Sequence, residues 1–285
     1  MIRVIQEKDF DTLRYYIGKG DVWDHRALEA LVRVGDVPVL QWAVENSIPL
    51  SAHALYLAVK NGREDIMRLL VESGCPMDSY VSTASRTLDV LLYLVGQGCP
   101  WDATELCAKA VTHRRVDILE WAVRNNPAAP ADGGGELGVE VGVAAAKHKH
   151  TDLLKLVVEK HGCPVDASTT RAAICAGHLG GLKWLVAERK CPLPDDACVQ
   201  AAMHDHLDVL KYVREQGCEW EGGDNGYNDA LREGHYTLMA WAINNGLDAS
   251  KAITDFSFNQ PSVHDHLIKC GCRKDLLPHS AYTWE

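Results

Sequence analysis

The sequence predicts an all-α fold, a solenoid of about nine helix-turn-helix repeats, and three periodic features carry that prediction. The first is an apolar anchor, filled in turn by Leu13, Leu40, Met67, Leu91, Leu119, Leu154, Leu182, Leu210 and Met239. Its intervals are 27, 27, 24, 28, 35, 28, 28 and 29 residues, so the usual unit is 27–29 residues long. Self-similarity at such a period marks a stack of like units. The second feature is an alanine nine places before the anchor, at Ala58, Ala110, Ala145, Ala173, Ala201 and Ala230. The third is a stop seven or eight places after it, as in Gly74-Cys75-Pro76, Gly98-Cys99-Pro100, Gly162-Cys163-Pro164 and Gly217-Cys218.

Each repeat opens with a first helix, expected to be the shorter of the two, where the alanine lets neighbouring backbones approach closely. A tight turn follows, with Gly177-His178, Asp205-His206 or Gly234-His235. The second helix carries the anchor. Apolar residues around it, such as Val209, Leu210, Tyr212 and Val213, fall on one helical stripe and do not alternate as in a strand. An aspartate stands two before the anchor at Asp11, Asp65, Asp89, Asp117, Asp152 and Asp208. A carboxylate in the first turn faces the positive end of the helix dipole, so these read as helix starters and not catalytic acids. Lys183 and Lys211, one past the anchor, fall off the stripe, and their truncation is expected to be nearly silent. Glycine at the stop takes the left-handed conformation and proline prevents continuation.

Along the chain, residues 1–27 hold a first repeat with a short first helix. The unit anchored at Leu91 is four residues short, and its first helix, SYVSTASRT, is expected to be shortened or irregular. The long interval before Leu154 places a loop at 125–138, with two prolines and three consecutive glycines. Residues 1–250 therefore read as the solenoid, and 251–285 as a C-terminal capping repeat and tail.

A net charge of −10 and a pI near 5.7, spread along the chain, argue against a phosphate-backbone binder, which needs a basic stripe. No run approaches the 18 apolar residues or so of a membrane span. The N-terminus MIRVIQEKDFD lacks an apolar secretory core, which points to the cytoplasm. Of ten cysteines, Cys75, Cys99, Cys163, Cys191 and Cys218 share one repeat position, so they read as small buried hydrophobes and free thiols.

No G-x-S-x-G, Walker A, G-x-G-x-x-G or H-E-x-x-H motif occurs, so the sequence predicts neither an enzyme nor a cofactor. His150, His178, His206 and His235 share the inter-helix turn, where a ring nitrogen can satisfy backbone groups freed at helix ends. His264, His266, Cys270 and Cys272 offer zinc's ligand types, but H-x-H and C-x-C are tighter than finger spacings, and no metal is assigned. Trp42, Trp121, Trp184 and Trp241 belong to the second helix and read as core. Trp23, Trp101 and Trp220 stand just past a stop, beside Asp24, Asp102 and Glu221, and these six residues are the candidate partner-binding positions.

At AAICAGHLGGLKWLVAERKCP and AAMHDHLDVLKYVREQGCEW the chain resembles the ankyrin repeat, through its alanine pair, GH turn, leucine-rich second helix and terminal glycine. It is similar in particular to the short, divergent ankyrin repeats of giant DNA viruses, oomycetes and protists. Ala172, Ala173, Gly177, His178, Leu179, Leu182 and Trp184 carry that likeness, as do Gly98, Cys99, Pro100, Trp101 and Asp102. The unit is shorter than the ankyrin norm and lacks T-P-L-H-x-A, which implies reduced or absent β-hairpin fingers. The resemblance implies a non-enzymatic module that offers an elongated repeat surface to a partner protein, in a viral product a host protein in the host cytoplasm. A structural or self-assembling role, for example in a virion, is the alternative; neither nucleic acid nor membrane is an expected partner, and a monomer is favoured.

Overall fold

Each apolar stripe forms a helix by laying itself on the stripes before and after it. The structure, a computed structural model, describes residues 1–23, 26–126, 137–220, 224–252 and 261–277. Asp24, Glu221 and most of the expected loop at 125–138 lie outside the described residues. The chain divides into two units, Met1–Gly135 and Glu136–Glu285, and the division falls within that loop stretch.

The first unit consists of five helical hairpins: α1 (Ile2–Gln6) with α2 (Phe10–Gly18), α3 (Ala27–Val34) with α4 (Val37–Glu45), α5 (Ala52–Lys60) with α6 (Glu64–Glu72), α7 (Ser79–Thr83) with α8 (Leu88–Gly96), and α9 (Ala103–Thr112) with α10 (Val116–Arg124). First helices pack on first helices, α1 on α3, α3 on α5, α5 on α7 and α7 on α9; second helices pack likewise, α4 on α6 and α8 on α10. The second unit repeats the scheme. Its hairpins are α11 (Val139–Lys147) with α12 (Thr151–Lys155), which continues as a π-helical turn over Leu156–Lys160, then α13 (Ala167–Ala176) with α14 (Leu179–Ala187), α15 (Ala197–Met203) with α16 (Leu207–Glu215), and α17 (Asp224–Arg232) with α18 (Tyr236–Asn244). The terminal elements are α19 (Ala249–Ala252) and α20 (Pro261–Lys269), packed on α17 and α18 respectively, and a 3-10 turn at Lys274–Leu276. Among the described residues there is no strand, as the missing finger residues imply.

All nine anchors are buried with at most 1% of their surface exposed. The aspartates two places earlier stand in the first turns of α2, α6, α8, α10, α12 and α16. As predicted, α7 is short, at five residues. First helices are not shorter as a class, however: α9 and α13 run ten residues against nine for α14. Asp102 and Asp166 cap them by accepting from the Glu105 and from the Ser168 and Thr169 amides, and alanine-rich sequence propagates the helix from there.

Both ends of a hairpin are closed by the same device. At the stop, Gly74 takes a φ of 77°, its amide donates to the Val71 carbonyl, and the Cys75 amide reaches back to Leu70. The same reach recurs at Cys99 to Leu94, Cys218 to Val213 and Cys272 to Leu267. In this glycine-terminated cap the residue after the glycine packs on the last helical turn, which is why the position selects a small apolar side chain. Cys75, Cys99 and Cys163 also direct their thiols at the carbonyls of Ser51, Asp78 and Gly138, the N-caps of their own first helices. Thus the repeat cysteine ties the hairpin's two open ends together.

Candidate interaction surface

The residue that leads into a unit meets the second helix of that unit. Trp23 lies edge-on to Trp42, with ring centroids 5.9 Å apart, Trp101 tilts over Trp121 at 5.0 Å, and Trp220 stands edge-on to Trp241 at 6.3 Å. The Trp23 indole N–H donates to the Asn46 carbonyl at 2.8 Å and that of Trp220 to the Asn245 carbonyl at 3.3 Å, so both satisfy carbonyls at a second-helix end. Trp23 is buried, whereas Trp101 and Trp220 are half-buried and keep part of each ring at the surface. Asp102 is spent as the N-cap of α9.

A row of contacts that sequence reasoning missed joins successive second helices. The cation one past the anchor lies over the aromatic ring two past the next anchor: Arg14 over Trp42 (5.8 Å), Arg68 over Tyr93 (4.4 Å), Lys155 over Trp184 (6.0 Å), Lys183 over Tyr212 (5.6 Å) and Lys211 over Trp241 (5.7 Å). At exposed sites each is worth about 0.5–1 kcal/mol. The signal was present in the residues. Where the next ring is missing, at Leu69 and Leu156, the preceding position holds Gln41 and Glu120 and not a cation. Leu92, ahead of Trp121, departs from the pattern.

Three of the four turn histidines act as expected, as donors to freed carbonyls, and the carbonyl belongs to the preceding unit. His178 Nδ1 meets the Ala146 carbonyl at 3.0 Å, His206 Nε2 that of Cys175 at 3.1 Å, and His235 Nδ1 that of Ala202 at 3.0 Å. Arg63 holds the equivalent place in its hairpin and donates to the Gly35 carbonyl at 2.7 Å. Each carbonyl sits at the C-terminal end of a first helix, where no intrahelical donor remains.

Residues 52–80 match the ankyrin repeat family model. That ankyrin-type stretch is α5, α6 and the lead into α7, with its left-handed turns at Gly62 and Gly74. Five hairpins outside it repeat its buried alanine, at Ala110, Ala145, Ala173, Ala201 and Ala230, and the bond to that alanine's carbonyl from the amide five residues on. No curated protein matches the chain.

All ten cysteines are free, and of the five at the shared repeat position Cys75, Cys99, Cys163 and Cys191 are buried, as expected, while Cys218 is half-buried. Burial pushes the Cys75, Cys99 and Cys163 thiols up to about 11 and Cys198 to about 12, so at neutral pH they are protonated and poor nucleophiles. Cys270, by contrast, is exposed. An aromatic disulfide reagent at pH 8 should therefore label Cys270 first, and reach those four buried thiols only when hairpins open. Mass-spectrometric mapping checks the order, and early labelling of Cys75 would contradict it.

The tail cluster does not assemble into a ligand set. Among the described residues no group of three or more His, Cys, Asp or Glu is placed to hold a metal ion. His266 stacks on Tyr236 at 5.0 Å, the Thr237 hydroxyl donates to Cys270 Sγ at 3.7 Å, and Cys272 is buried as the cap hydrophobe after Gly271. No helix among the described residues is long and apolar enough to cross a membrane.

His178 supplies a pH-dependent component of stability. Its Nδ1 must carry the proton to donate to the Ala146 carbonyl, which leaves Nε2 to accept from the Thr151 hydroxyl at 2.6 Å. The neutral ring is thus satisfied at both nitrogens. Burial first, then the charges of Lys149 and His150, lowers its pKa below the usual 6.5. The unfolded chain therefore binds the proton more readily, and stability rises with pH across this window. The contribution is complete above the unfolded value and is lost as pH falls from about 6.5 toward the lower folded value. Urea midpoints at pH 7, 6 and 5 should decline, and less steeply in His178→Gln.

Proposed function

We propose that the protein is a non-enzymatic protein–protein interaction module of the ankyrin type. The observation that carries this reading is the ankyrin match at 52–80, set among hairpins with buried anchors, of which three bond the preceding repeat through His178, His206 and His235. A scaffold tied in this way presents a preorganised surface, and a partner that docks on it meets little ordering cost. The half-buried rings of Trp101 and Trp220 are the anchors we assign to such a contact, with Asp102 beside the first as rim. The free thiols suit a reducing compartment. By the likeness to viral and protist ankyrin proteins, the partner is a host protein in the cytoplasm.

The test is retention of a discrete protein from a cell extract by the immobilised chain, followed by calorimetric titration of the purified pair. Saturable binding that Trp101→Ala weakens at least tenfold, with the helical circular-dichroism spectrum retained at the titration temperature, is the expected result. An unaltered affinity in both Trp101→Ala and Trp220→Ala would remove these anchors. A chain that retains no protein and exists as large homo-oligomers by light scattering would favour self-assembly instead.

A further inference from the structure

The short hairpin opens a cleft whose chemistry is opposite to that of the chain. Helix α7 ends at Thr83, while α5 and α9 on either side run on to Lys60 and Thr112. Past the end of α7 lies a cavity of about 480 Å³, whose wall includes Tyr56, Lys60, Ser85, Arg86, Lys109 and Arg115. No aspartate or glutamate lines it, in a protein of net charge −10.

Part of this charge has an ordinary explanation. Lys60 and Lys109 stand in the last turns of α5 and α9, where a cation complements the helix dipole. Arg86 shares that account in part, since its guanidinium lies against Gly62 just past the end of α5, but Arg115 does not. Arg86 comes from the loop after α7, and Arg115 holds the inter-helix place from which Arg63, His178, His206 and His235 each bond a carbonyl of the preceding first helix. Here the preceding helix is α7, which is cut short, and Arg115 makes no such bond. Among the described residues neither arginine, nor Lys60, nor Lys109 forms an ion pair.

A second observation points to a ligand. Ser85 lines the same cleft, is 8% exposed, and its hydroxyl has no hydrogen-bond partner. A hydroxyl withdrawn from water and left unpaired is rare in folded proteins, and each such group calls for an explanation. Four cations without a carboxylate partner, of which only Lys60 has a ring contact (5.5 Å from the Tyr56 centroid), share the cleft with an unpartnered hydroxyl, and together they are the complement of an anion.

We propose that this cleft binds a phosphate monoester, with Arg86 and Arg115 clasping its oxygens, Lys60 and Lys109 supplying further charge, and Ser85 donating from the floor. Guanidinium forks match phosphate oxygens in pairs, and a dianion offsets more of this charge than one carboxylate does. The phosphate could be carried by a free small molecule or by a phosphorylated side chain of another protein. A site here requires nothing of Trp101 or Trp220, so either assignment can fail without the other.

Calorimetric titration of the full chain at low salt with phenyl phosphate, phosphoserine and a phosphoserine peptide tests it. One saturable site is expected for each probe, weakened at least tenfold in the Arg86→Gln, Arg115→Gln double variant. Ser85→Ala removes a hydroxyl without native partners, so it should fold normally and bind several-fold more weakly. A phosphopeptide that binds over tenfold tighter than phosphoserine identifies a protein source; equal affinities identify a free ester. Absence of saturable binding by any probe, binding unchanged in both variants, or a glutamate peptide that binds as tightly as the phosphopeptide would overturn the assignment.

Discussion

Replacement of Leu182 or Leu210 by alanine is expected to cost about 2–5 kcal/mol, read as a fall in the urea midpoint at constant slope. Both side chains are fully buried, and each belongs to a second helix that packs on the second helix beside it. The cavity left behind therefore weakens the interfaces on which α14 and α16 depend. In a stack, stability is approximately a sum of unit and interface contributions, so the loss is expected to spread to the neighbouring hairpin. The comparison residue is Lys183. It was expected to be silent, but its ammonium lies 5.6 Å from the Tyr212 ring centroid. Lys183→Ala should thus cost about 0.5–1 kcal/mol, still well below its neighbour. Leucine variants that lose less than Lys183→Ala would refute the stacking scheme.

The correction at Lys183 shows where sequence reading stops. Leu182 was legible because its burial repeats at one position per unit, and periodicity reveals that without knowledge of what touches what. The partner of Lys183 lies 29 residues on, in another helix. Only the superposition of one unit on the next brings them together. Trp101 is a similar case, since its place past a stop was readable but its tilt over Trp121 was not. The poor first helix at SYVSTASRT was likewise readable, and α7 is short. That the shortfall leaves Lys60, Arg86, Lys109 and Arg115 around one cavity depends on α5 and α9 keeping their full length. Cys75, Cys99 and Cys163 were correctly read as buried hydrophobes, while the capping geometry behind that choice became visible only in the backbone bonds.

Gly177→Ala is expected to be as damaging as loss of a core leucine, although alanine is the better helix former. Gly177 has a φ of 67°, a conformation that costs an ordinary L-residue about 1–2 kcal/mol. Backbone strain alone cannot be decisive, because Lys149 holds the corresponding turn position with a φ of 59°. The difference lies in what covers the turn. A Cβ at 177 would stand 2.6 Å from the His206 ring, which is held there by its bond to the Cys175 carbonyl. Either the ring moves and the bond between units is lost, or the turn distorts, and such overpacking costs a further 1–3 kcal/mol or so. The sum is a loss of about 2–5 kcal/mol. A double-mutant cycle separates the two causes. In a His206→Ala background the steric part disappears, so Gly177→Ala should cost there only the strain of the left-handed turn, about 1–2 kcal/mol. Equal costs in both backgrounds would show that the ring yields freely, and that the glycine serves backbone conformation alone. Lys149→Gly is the converse experiment: it relieves the same strain and should stabilise the chain by about 1 kcal/mol.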